Sequence, residues 1–201
     1  MKREPDGIIL LGNYAPDTQF SMEGVAAMFL DELRRAGIPA TLLRPEPVCV
    51  GRFPVPLRKW AGYVDKYLLF RISLRSRIRD VLERNRWSRD ATIVHIVDHA
   101  NSVYAGALGD FPVLVTCHDL MAIKRARGDF SDRAPPVSRS NRLQQKWILD
   151  ALRRIPAIAC VSEHTRRDLV ALLPDAAGSA VTIRQGLPRI YRPAAEERVE
   201  R

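Results

Sequence analysis

Six short apolar runs, each followed by a loop or helix signal, constrain this chain most. They are 7–12 (Gly-Ile-Ile-Leu-Leu-Gly), 39–43, 91–97, 112–117, 157–161 and 180–184. Continuous runs of this length, rich in β-branched residues, read as strands buried on both faces. Helical patterns separate them. Val25, Met28, Phe29 and Leu33 recur at helical spacing, Ser21 is placed to cap that helix, Arg34 and Arg35 suit its C-terminal end, and Gly37 stops it. Further helices are expected near 57–86, 103–108 and 138–154 and after Ser162, with Arg44–Leu57 and Ala122–Pro136 as loops. Strands alternating with helices define an α/β fold, Rossmann-like, with a mostly parallel sheet and helices on both faces.

The ends of these runs hold the polar residues of interest. Pro112-Val113-Leu114-Val115-Thr116-Cys117 runs straight into His118-Asp119-Leu120. Ligands of open α/β sheets bind at the carboxyl ends of the strands, so a His-Asp pair there stands where chemistry occurs. Asn13 and Tyr14, Asp98 and His99, and Ser162 and Glu163 end three other runs, and a parallel sheet brings all four ends to one edge. Each has a plainer reading beside the functional one. Asp119 can simply open a turn, Ser162 can simply cap a helix, and His95, inside a strand, reads as a satisfied core histidine.

Several chemistries are excluded. Gly12-Asn13-Tyr14-Ala15-Pro16 lacks the G-x-G-x-x-G needed for close approach of a pyrophosphate, and no Walker A or G-x-S-x-G sequence occurs. Cys117 and His118 are adjacent, and neighbours on a strand point to opposite faces, which disfavours a dyad. Cys49, Cys117 and Cys160 are odd in number and scattered, which argues against a disulfide framework and a zinc site. No metal is expected. No run reaches the length of a membrane span and the N-terminus lacks a signal-peptide pattern, so cytoplasmic residence is the expectation.

The net charge of +9 is concentrated. Between Arg52 and Arg89 stand eleven basic residues against Asp65, Asp80 and Glu83. Trp60, Tyr67, Leu74 and Val81 fall seven apart in this stretch, an aromatic and aliphatic seam with basic residues on much of the other face. One reading makes the charges a solvated face. Another lays the helix on an anionic membrane surface, through Lys59, Trp60, Lys66, Arg71 and Arg75. A third, a non-catalytic nucleic-acid binder using Trp60, Tyr63 and Tyr67, lacks any recognised motif and leaves the strand ends unexplained.

The ordered motifs resemble the N-terminal domain of a family 4 glycosyltransferase of the GT-B fold. The matching pieces are the first strand with Ser21-Met22, Val94-His95-Ile96-Val97-Asp98-His99, and Val115-Thr116-Cys117-His118-Asp119-Leu120. They continue with 160–169 (Cys-Val-Ser-Glu-His-Thr-Arg-Arg-Asp-Leu) and with Ile183-Arg184-Gln185-Gly186-Leu187 followed by Tyr191-Arg192-Pro193. The resemblance implies a retaining, metal-independent transferase without a cofactor, using a nucleotide-sugar as co-substrate. It places His118 near the transferred sugar and the acceptor, with Asp119 beside it. Gly12, Asn13, Ser21 and Met22 fall on the loop facing the donor phosphates and acceptor, and Asp98, His99, Ser162 and Glu163 on the acceptor side.

The implied partners are a glycan or lipid-linked acceptor and, by the basic helix, the inner face of the plasma membrane. The first loop departs from the family in lacking a Gly-Gly pair, and Gln185 stands where Asn is usual. Residues 1–193 are expected to form one domain, with 194–201 a charged tail or the start of a linker. The donor-binding domain is expected to come from elsewhere, as on a separate chain, and these residues alone to be inactive in transfer.

Overall fold

A computed structural model describes residues 4–130 and 136–186. The expected signature at Leu187 and Tyr191-Arg192-Pro193 and the tail 194–201 lie outside the described residues. Six strands form one sheet: β1 (Gly7–Leu11), β2 (Ala40–Leu43), β3 (Thr92–Ile96), β4 (Val113–Cys117), β5 (Ala157–Cys160) and β6 (Ala180–Thr182). Their order is β2-β1-β3-β4-β5-β6 and every neighbouring pair is parallel. Each apolar run of the sequence is therefore a strand, as continuous runs in parallel sheets should be.

Helix α1 (Phe20–Arg35) packs Ala26 and its apolar flank against Leu10 and Val97 on one face of the sheet. The other face carries α3 (Arg71–Asn85), α4 (Ala105–Leu108), α5 (Met121–Arg127), α6 (Arg139–Leu152) and α7 (Glu163–Leu172). Their buried residues, among them Leu74, Leu108, Ile123, Leu152 and Leu169, close one core over Ile9, Val94, Val115 and Ile158. Helices thus cover both faces unequally. Beside α1 a groove of about 450 Å³ opens over β3–β5, lined by Phe29, His95, Thr116, Val161 and Ile183.

Three local expectations are corrected. The helix expected near 57–86 is α2 (Val55–Tyr63), a π-helical stretch (Val64–Phe70) and α3 in unbroken succession. A π-helix bonds i to i+5, so each turn takes an extra residue and the buried face rotates. The sevenfold seam therefore splits: Leu74 and Val81 are buried, whereas Trp60 is exposed. Second, Ser21 does not cap α1, which begins one residue earlier with Gln19 as N-cap. Third, part of the expected loop 122–136 is helix α5, whose apolar content is too small to give a periodic signal.

Candidate active site at the strand ends

The carboxyl ends of β1, β3, β4 and β5 share one edge, and their exits are tied together by hydrogen bonds. Asn13, after β1, donates through Nδ2 to Asp98 Oδ2 after β3 at 2.8 Å. The same amide touches Gln19 Oε1, the cap of α1. Asn101 Nδ2 donates to Asn13 Oδ1 at 2.9 Å. Asp98 also accepts from the Ala100 N–H at 3.0 Å, which starts a 3₁₀ turn over His99–Tyr104. Asn13, Asp98, His99 and Asn101 are all buried.

Burial by itself raises the Asp98 pKa. The contact with His99, whose Nδ1 lies 3.2 Å from Asp98 Oδ1, and the bonds from Ala100 and Asn13 outweigh it and bring the carboxyl down to about 2. Asp98 is thus a fixed negative charge behind the edge.

His118 sits beside this cluster, half-buried. Its Nε2 donates to the Val97 carbonyl at 3.0 Å. A carbonyl only accepts, so Nε2 carries a proton and Nδ1 is the nitrogen left to bind a ligand. Nδ1 makes no hydrogen bond among the described residues. From the other side, Thr165 Oγ1 donates to the His118 carbonyl at 3.2 Å. Thr165 is itself held by Ser162, which caps α7 by accepting from the Thr165 N–H at 3.0 Å. Ser162 therefore combines its plain capping role with a second task, since its helix start fixes the His118 backbone.

Two members of the expected set are occupied elsewhere. Asp119 Oδ1 accepts from the Met121 N–H at 2.9 Å and so opens α5, the plainer of its two readings. Glu163 turns away to Arg166 and to Thr182 Oγ1, which hold its pKa down to about 2 and join α7 to β6. Gly12 makes a packing contact. A Cβ there would lie 3.0 Å from Leu42 Cδ1, so a side chain would require the Leu42 side chain to give way. Ser21 and Met22 lie in the first turn of α1; the Met22 N–H donates to the Gln19 carbonyl at 2.9 Å, and the positive end of the helix dipole favours an anion there.

His95 has its core role. Its Nε2 and Thr116 Oγ1 are 2.8 Å apart, Phe29 packs edge-on against the ring, and burial pushes its pKa down to about 4. Cys117 and Cys160 are register partners, both buried and free, consistent with core packing.

The residues assigned to a membrane face separate. Lys59 and Trp60 are exposed. Arg71 stacks over Trp147 at 5.6 Å and Arg75 Nε donates to the Ala107 carbonyl at 2.8 Å. Lys66 turns inward to Asp17 Oδ2 at 2.7 Å, because the π-helical stretch rotates it off the outer face.

Sequence reasoning missed Asp65, Asn101 and Gln19. Asp65 stood out as a lone acid among basic and aromatic residues, and Asn101 as a polar residue three after Asp98. Among the described residues no three His, Cys, Asp or Glu side chains gather to hold a metal, and no helix is long and apolar enough to cross a membrane.

An open parallel sheet covered by helices on both faces defines an α/β domain of the Rossmann-like class. Residues 22–187 match the family model described as Glycosyltransferase Family 4, and the chain belongs to that family. No curated protein matches it. Among solved structures it is similar to the lac repressor dimer bound to operator and the anti-inducer ONPF, at 10% identity, with 91% of this chain and 75% of that chain covered and a TM-score of 0.31. The dimeric lac repressor with an 11-residue C-terminal deletion gives 10% identity, 88% and 77% coverage and a TM-score of 0.29.

Proposed function

We propose that these residues are the acceptor-binding half of a retaining, nucleotide-sugar-dependent glycosyltransferase, acting on a glycan or lipid-linked acceptor when a donor-binding domain completes the cleft. The observation that carries this reading is the His118 imidazole, fixed by Val97 with Nδ1 left for a ligand, at the edge shared with Asn13 and Asp98. In this reading Nδ1 accepts from an acceptor hydroxyl, and Asp98 supports the positive charge that gathers near the transferred sugar. Asp119 acts by positioning the start of α5. The first turn of α1, with Ser21 and Met22, faces the donor phosphates. No cofactor or metal is required. The test is turnover of nucleotide-sugars by the purified 201-residue polypeptide. None is expected, and transfer by this chain alone would overturn the two-half reading.

A peripheral position on the inner face of a membrane is favoured by one further observation. Trp60, Val64, Leu68 and Ile72 recur every fourth residue along α2, the π stretch and α3, and all four are exposed. An apolar stripe on a basic helix is the pattern of an interfacial element. Sedimentation with vesicles decides: binding indifferent to anionic lipid content rules this out. The nucleic-acid reading gains no comparable support.

A further inference from the structure

A second pocket opens next to the strand-end cluster and is not used by it. It encloses about 590 Å³ between the β1 exit and the α2–π helix, and its lining includes Tyr14, Asp17, Arg58, Lys59, Tyr63 and Lys66. The cations dominate. Lys66 Nζ is fixed at 2.7 Å from Asp17 and lies over the rings of Tyr14, Tyr63 and Tyr67 at 5.6, 5.2 and 5.4 Å. Arg58 and Lys59 are exposed at the mouth and form no ion pair among the described residues; Arg58 Nε merely donates to the Phe53 carbonyl at 3.4 Å.

The pocket is rigid by construction. Buried Asp65 accepts from Tyr14 Oη at 2.7 Å and from the Cys49 and Val50 N–H groups at 2.8 and 3.1 Å. These bonds draw the 49–52 segment and the β1 exit onto the helix. The π-helical geometry lets consecutive residues split their tasks, with Asp65 inside and Lys66 at the pocket. Such stretches are uncommon and concentrate at functional sites. Tyr14 follows Asn13 directly, so the pocket and the Asn13–Asp98 pair share one turn of chain.

We propose that this pocket is an anion subsite for a phosphate group of the acceptor, bound by Arg58, Lys59 and Lys66 while the reacting sugar end lies at the strand edge. The inference rests on the acceptor-side reading above. Exposed Arg58 and Lys59 at the mouth, with half-buried Lys66 behind them, suit a phosphate ester or diphosphate. The phosphate belongs either to a lipid headgroup, with the neighbouring exposed stripe at Trp60 and Val64 in the bilayer, or to a soluble phosphorylated glycan.

The test uses the full 201-residue chain with two probes: inorganic pyrophosphate followed by amide NMR, and phosphatidylcholine vesicles with or without phosphatidylglycerol followed by flotation. The variant Arg58→Ala/Lys59→Ala removes the mouth cations. Arg79→Ala/Arg84→Ala removes equal charge elsewhere on the helix. Pyrophosphate should shift amides around Tyr14, Gly51 and Lys66, and the mouth variant should weaken it about tenfold while the distal variant leaves it unchanged. If the mouth variant alone also releases the vesicles, the headgroup is the source; if vesicles never bind, a soluble ester is. Absence of pyrophosphate binding, or equal loss in both variants, overturns the subsite. Binding is read without sugar transfer, so failure here leaves the strand-edge reading standing, and failure of that reading does not erase a measured phosphate site.

Discussion

Asn13 reaches from the end of β1 to Asp98 at the end of β3, donating at 2.8 Å, and so couples the first loop to the charge behind the edge. Both residues are buried. A hydrogen bond to a buried charged group contributes about 1.5–3 kcal/mol. Asn13→Ala should therefore lower stability by about 2 kcal/mol, measured by urea unfolding. An unchanged midpoint would remove Asn13 from the support of Asp98.

The acid limb of stability follows from the same pair. The Asp98 carboxyl is held down to about 2 in the folded chain, against about 3.9 when unfolded. Its stabilisation is complete above the unfolded value and is lost as pH falls from about 4 towards about 2, some 2–3 kcal/mol in all. Asp98→Asn should flatten this limb, checked by denaturant unfolding across that window.

His95 acts at milder pH. Folding keeps its pKa at about 4, against about 6.5 unfolded. As pH falls below about 6.5 the unfolded chain takes up the proton first, so stability drops until about pH 4, by about 3 kcal/mol. His95→Gln should remove most of that slope between neutral and mildly acid pH, at some cost in stability at neutral pH.

Tyr14 and Asp65 link the first loop to the helix through one bond of 2.7 Å. Tyr14→Phe keeps the ring and removes the donor. It should cost about 1.5–3 kcal/mol, and amide exchange at Cys49 and Val50 should quicken as their shared acceptor loosens. Protection equal to wild type would mean that the 49–52 segment is held by other contacts.

The strands were legible because parallel strands buried on both faces are written as continuous apolar runs. The strand-end residues were legible because a parallel sheet puts all such ends on one edge; the bonds among Asn13, Asp98 and Asn101 join the exits of β1 and β3 there. Interruption of the long helix was not legible: a heptad of Trp60, Tyr67, Leu74 and Val81 fits an unbroken α-helix, and the bonds of Asp65, which lies within the widened stretch, with Tyr14, Cys49 and Val50 join segments distant in sequence. Helix α5 escaped notice because Ile123 is its sole buried residue. Ser21 failed as a cap because the helix starts at Phe20, which puts Ser21 inside its first turn. Adjacent letters also conceal divergent roles, as when Ser162 supports the His118 backbone while Glu163 ties down β6.

Amide NMR of the 201-residue chain against a library of soluble glycans shows whether the His118 edge receives a saccharide acceptor. Saturable binding by at least one glycan is expected, with shifts grouped at Asn13, Asp98 to Asn101 and His118, and loss of that binding in His118→Ala with the fold intact. No glycan binding at this edge, together with saturable and salt-sensitive binding of a nucleic acid along the basic helix, would contradict that expectation.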